Sequence, residues 1–352
     1  MERNSSAKKK ILVDRFTFLF EVIIVFVGIF LFLLIPRFIY LIITEENAIF
    51  LAPLYYVLRA GLVFLAIPLL LYLTDFVLES QKKEIIVEED ISPAMNQLKQ
   101  YKITKNNFKY QLLYGVMLLF LFFIPLDFFS YLLIPNFLEF QRDGLTASQN
   151  PINSYFFQAY FVFLISVIII QLSVSFYEET VTRGYLAKNG SENFHKISAV
   201  MIAAIYFGFG HIGYYDPNYS IVFPMIFFIQ AFIVSVVLAL FLLKKKWIFP
   251  LIFAHGLNNI ISAHAIWNSI QGNDFMTVTL YLYIPLLIGS VIIFIWQFPR
   301  IKAGLSTGIK DFKTYFKIDD KIGEEPNDKY LRILIDISIG ILIFLVAILL
   351  TV

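Results

Sequence analysis

Six side chains carry the chemistry that this sequence has to offer: Glu178, Glu179, Arg183, His211, His255 and Asn259. The first three stand in Phe176-Tyr-Glu-Glu-Thr-Val-Thr-Arg-Gly-Tyr-Leu186, directly after an apolar run over about 155–174 that is long enough to cross a bilayer. Ionisable groups at that depth are costly and imply a buried partner or a functional site. On a helix, Glu179 and Arg183 are i and i+4 neighbours in the favourable order. Glu178 points about 100° away and is left outside that pair. One carboxylate is therefore tied down while its neighbour is available for chemistry. His211 follows Tyr206-Phe-Gly-Phe-Gly, and His255 stands one turn before Asn259 on the same helical face. Imidazole and amide groups in lipid need partners, so these should point into a helix bundle. A structural hydrogen-bond network satisfies that need for any one of them; a polar centre shared by three helices satisfies it for all.

The elements that must position these groups follow from composition. Of 352 residues, 59% are hydrophobic, 18% aromatic and 15% charged. A soluble domain is nearer half apolar and a quarter charged, so an all-α, polytopic membrane helical bundle is expected. The net charge of +2 is too small for nucleic-acid binding, and the absence of cysteine excludes disulfides, thiolate metal sites and cysteine nucleophiles. No cleavable signal is expected, because the first apolar run is too long for a signal core. Nine runs read as membrane helices: 16–43, 50–78, 111–135, 154–178, 196–214, 219–243, 247–268, 275–298 and 331–350. Lysines and arginines gather before the first run and after the second, sixth and eighth; the intervening loops hold just Arg142 between them. The positive-inside rule then puts the N-terminus in the cytoplasm and the C-terminus outside. Four units result: two helices and a cytoplasmic segment (1–110), a helical core (111–298), a second cytoplasmic segment (299–330) and a last helix (331–352). Gly208, Gly210 and Gly256 flank the histidines and would let helices approach closely.

Depth tests whether the groups can meet. Glu178 and His255 both fall about 14 Å from the cytoplasmic ends of their helices, at 1.5 Å per residue. His211 reads about 27 Å from its helix start, so it joins them only if that helix tilts or begins outside the bilayer.

In order, Glu178-Glu179-xxx-Arg183, Phe207-xxx-His211 and His255-xxx-Asn259 resemble the three motifs of the CAAX protease and bacteriocin-processing (CPBP) family of intramembrane proteases. The resemblance covers about residues 110–298. It implies that Glu178 and His211 activate water, that His255 and Asn259 stabilise the oxyanion, and that Glu179 and Arg183 support the site. The prenyl-protein branch of the family further implies a lipidated peptide substrate, losing its last three residues in a cytoplasm-open cavity. A glutamate and two histidines also form a zinc ligand set, so Glu178, His211 and His255 around a metal-bound water is the second mechanism. A non-proteolytic immunity or scaffold protein and a transporter with an intramembrane polar site are the competing functions. Membrane lipids and a peptide or lipidated protein are the expected partners. An integral multi-pass location follows, in the plasma membrane of a prokaryote or the endoplasmic reticulum of a eukaryote.

Other polar residues have structural readings. Asp127, Asp336 and Arg59 are expected to pair or to snorkel. His264 should face away from His255. Gly190-Ser191 reads as a helix stop with a capping serine, leaving His195 at the interface. Glu21 has no reading.

Overall fold

The computed structural model describes residues 2–78, 92–146, 150–212 and 219–351, and among them all regular structure is helical. The expected basic loop residues Lys82 and Lys83, and the loop 215–218, lie outside the described residues. Helices α1 (Glu2–Leu41) and α2 (Ala48–Leu78) form an antiparallel pair. A short α3 (Pro93–Lys99) precedes α4 (Phe108–Leu133) and α5 (Phe137–Thr146). Next come α6 (Tyr160–Asn193) and α7 (Lys196–Gly210). Helices α8 (Val222–Lys245), α9 (Phe249–Ile270), α10 (Phe275–Thr314) and α11 (Pro326–Thr351) complete the chain.

Seven of these helices are long and apolar enough to cross a membrane: α1, α2, α4, α6, α8, α10 and α11. Among the described residues, two of the nine runs expected from the sequence do not form helices of that kind. The fifth run shortens to the 15 residues of α7, about 22 Å and less than the ~30 Å hydrocarbon core. The seventh forms the 22-residue α9, outside those seven; His255, Asn258, Asn259, His264 and Asn268 make it a polar helix. The fourth run was expected over 154–178, but its helix starts at Tyr160 and continues through Gly190-Ser191 to Asn193. His195, rather than a serine, caps the next helix, its Nδ1 accepting from the Ile197 N–H at 3.3 Å.

Helices α6, α7, α8 and α9 pack around one centre, with α1, α2 and α11 against α6 and α7. Buried polar contacts tie in the first and last helices. Arg15 on α1 donates to Asp336 on α11 at 2.6 Å and to Ser198 on α7 at 3.1 Å, while the Tyr315 hydroxyl donates to Asp336. Glu21 accepts from Asn189 of α6 at 2.5 Å, which accounts for its place inside α1.

Gly340 sets the approach of α11 to α7. A Cβ there would stand 2.8 Å from both Cβ and Cγ2 of Ile205 and 3.1 Å from the Ile202 carbonyl oxygen. Those atoms belong to or adjoin the backbone, so a rotamer change cannot clear them. Gly340→Ala should lower stability by about 1–3 kcal/mol through overpacking. Gly61→Ala, in α2 with nothing within 4 Å of the added carbon, should be neutral or stabilising by up to ~1 kcal/mol. Thermal unfolding of the two variants in one detergent reads the difference; equal midpoints would refute the account.

Candidate active site

Helix α6 changes its winding directly after its two glutamates. Regular α-helix runs to Glu179, and an eight-residue π-helical turn follows over Thr180–Ala187. Such turns shift side chains and carbonyls out of the regular ladder and are frequent at functional sites. Here α3 and the chain after it answer the change. The Gln100 side chain donates to the Gly184 carbonyl at 3.0 Å, and the Tyr101 hydroxyl to Thr180 Oγ1 at 2.7 Å. Gln97 and Gln100 are buried in doing so, which makes this stretch of the 79–110 segment more than a surface helix.

Inside the bundle, Glu179 and Arg183 are fully buried and joined, Arg183 Nη1 donating to Glu179 Oε1 at 2.8 Å. The guanidinium also lies 4.0 Å from the Phe207 ring centre, a cation–π contact with α7. The same Glu179 oxygen stands 2.7 Å from His255 Nδ1. A carboxylate accepts, so Nδ1 carries the proton and the Nε2 edge of His255 is turned free. That edge faces Glu178, whose Oε2 is 3.6 Å from Nε2. Glu178 keeps 26% of its side chain accessible, whereas Glu179 keeps none. The division between an engaged and an available carboxylate is thus present, with His255 as an additional partner of the engaged one.

His211 closes α7. Its Nδ1 is 2.8 Å from the Phe207 carbonyl oxygen, which can only accept, so Nδ1–H donates and Nε2 presents a lone pair. Both histidines are therefore fixed in the tautomer that offers Nε2. Phe207 and Phe227 hold the His211 ring at centroid distances of 4.5 and 5.1 Å, and Phe123 stacks on His255 at 5.8 Å.

His211, His255 and Asn259 line one cavity of about 140 Å³, between α4, α5, α7, α8 and α9. Glu178 is not among its lining residues and meets the group from the side, at His255. The meeting that helix depth left open is present: His211, at the C-terminal end of α7 and about 22 Å from its start, lines the same cavity as His255. Of the three flanking glycines, Gly208 allows Phe228 of α8 to approach and Gly256 allows Leu172 and Ser175 of α6, whereas Gly210 has nothing near it.

Sequence reasoning passed over part of this cavity. Asp127 pairs as expected, accepting from Ser262 Oγ, but both also line the cavity, together with Asn258, Ser130 and Gln230. The available signal was Asp127 itself, a carboxylate within a span, and the i+4 spacing of Asn258 and Ser262. His264 instead packs against Tyr160, Phe163 and Trp267, away from the cavity. Among the described residues no three His, Asp or Glu side chains gather as a metal-ligand set. As arranged, these donors do not fit a zinc centre.

A bundle of apolar helices thus encloses one polar centre made of a glutamate pair, two oriented histidines and an asparagine. Residues 160–261, less than a third of the chain, match the family described as Type II CAAX prenyl endopeptidase Rce1-like. That stretch runs from the start of α6 to just beyond Asn259 and includes all six residues singled out above. It carries the resemblance to CAAX-type intramembrane proteases at the level of the family. No curated protein and no solved structure matches the chain.

Proposed function

We propose that this protein is an intramembrane endopeptidase in which Glu178 and His211 activate water against a peptide carbonyl. The observation that carries the reading is the Arg183–Glu179–His255 chain, which turns His255 Nε2 toward Glu178 beside a cavity lined by His211 and Asn259. Glu178 takes a proton from water as its oxygen attacks, aided by the lone pair on His211 Nε2. Charge then develops on the carbonyl oxygen. The Asn259 amide donates to that oxygen, and His255 does so in its imidazolium form, in which solvent has supplied the Nε2 proton before the attack while Nδ1–H stays on Glu179. The proton that Glu178 took from water passes to the leaving amine as the carbon–nitrogen bond breaks. Glu179 and Arg183 are positioning residues, setting the His255 tautomer. This scheme uses the chain's own groups. Zinc held by Glu178, His211 and His255 is the rival mechanism, and it would require those donors to converge.

The substrate we assign is the C-terminal end of a prenylated CAAX-type protein, on the strength of the matched family. The apolar helix walls would accommodate the lipid, and the cavity would open to the cytoplasm. Basic residues at 8–15, 99–109, 244–246 and 300–329 support a cytoplasmic N-terminus and an external C-terminus. The competing scaffold and transporter readings leave the fixed tautomers without a purpose.

The test is cleavage of a farnesylated peptide by the purified full chain, read by mass spectrometry. Release of the C-terminal tripeptide, undiminished by a chelator, is expected. A product absent from wild-type reactions would overturn the proposed activity, and activity abolished by chelation and restored by zinc would overturn the metal-free mechanism.

A further inference from the structure

A second cavity, of about 360 Å³, lies apart from the site just described, between α1, α2, α6, α7 and α11. Its volume is in the range of small-molecule sites, roughly 300–1,000 Å³. Along α1 its lining runs from Phe26 to Tyr40, about 21 Å at 1.5 Å per residue. The wall is apolar over most of that length, with Ile29, Phe30 and Leu33 in successive turns. At one end stand Arg37 and Arg59, with tyrosines 40 and 55, and no carboxylate is among the described lining residues. The Arg59 guanidinium lies 4.3 Å from the Tyr177 ring centre, and its buried Nε has no hydrogen-bond partner.

The Arg59 guanidinium has no acidic partner among the described residues, which is costly inside a membrane bundle, and a ligand that brings the negative charge removes the cost. The long apolar wall selects the rest of that ligand. A peptide in such a groove would leave its backbone N–H and C=O groups unsatisfied, whereas an acyl chain has none to satisfy. We infer that this cavity binds an anionic phospholipid, its phosphate at Arg59 and Arg37 and one acyl chain along Phe26–Leu33. Tyr177 connects the two sites, because it carries the Arg59 contact and precedes Glu178 in the chain. Occupancy therefore steadies the turn of α6 that presents the glutamates.

The test uses the full chain in a neutral detergent, with thermal unfolding followed on addition of phosphatidylglycerol, phosphatidylcholine or inorganic phosphate. Phosphatidylglycerol is expected to raise the midpoint by several degrees, with little response to the other two. Arg59→Gln should weaken the lipid's half-maximal concentration about tenfold, and Arg59→Lys should restore most of it. Ile29→Trp, which fills the groove and leaves both charges, should weaken it too and serves if Arg59→Gln does not fold. An equal response to phosphatidylcholine or to phosphate alone, or an unchanged response in Ile29→Trp, would overturn the inference. Glu178→Gln should bind the lipid like the wild type, so this outcome is independent of whether the chain is a peptidase.

Discussion

Glu178→Gln is expected to abolish measurable peptide hydrolysis while leaving the folded protein intact. The substitution keeps the side chain's shape and removes its basicity. A general base contributes on the order of 10²–10⁴ in rate, so the loss should fall in or beyond that range. Stability should scarcely change, because Glu178 is partly accessible and 3.6 Å from His255 Nε2, outside hydrogen-bond distance. Release of tripeptide from the farnesylated peptide measures the rate, and thermal unfolding measures the fold. Wild-type turnover in this variant would remove Glu178 from the chemistry, and unfolding would show a structural role instead.

Glu179 and Arg183 should behave in the opposite way. Both side chains are fully buried, and one oxygen of Glu179 serves both Arg183 and His255. Arg183→Met leaves a carboxylate in the bundle with its cation gone. Removing one member of a buried pair costs about 3–5 kcal/mol, so this variant should unfold at a clearly lower temperature. Glu179→Gln is milder in charge but reaches the chemistry, since an amide can present its NH₂ to His255 Nδ1 and favour the other tautomer. By analogy with the loss of the orienting carboxylate in hydrolytic triads, turnover should drop by about 10²–10⁴, chiefly in kcat. Equal kcat and a shifted KM would indicate a substrate-binding role for Glu179. A double variant, Glu179→Gln with Arg183→Met, should recover part of the lost stability because no lone charge stays buried.

The contrast between these neighbours was readable from spacing alone. Residues four apart share a helical face, and residues one apart do not, so Glu179 and Arg183 had to be the pair. Composition likewise pointed to a membrane protein, at 59% apolar and 15% charged, and the long apolar runs pointed to helices. Local pattern was less informative about length. The same polarity that makes α9 useful disqualifies it as an apolar span, and α7 ends as soon as it has delivered His211.

What the tertiary structure decided is which side chains meet. Asp127, Ser130, Gln230, Asn258 and Ser262 come from α4, α8 and α9 and share a cavity with His211 and His255; local sequence marks Asp127 and the Asn258–Ser262 spacing, but not that they meet. The bond from His255 to Glu179 joins residues 76 positions apart and sets the tautomer. Arg15, Ser198 and Asp336 likewise meet across the bundle from α1, α7 and α11. The reason is physical. Helical periodicity and transfer cost act within a few turns and are written into neighbouring residues. A hydrogen bond between distant helices depends on how their faces, glycines and π-turn rotate against one another, and that is determined only when the bundle packs.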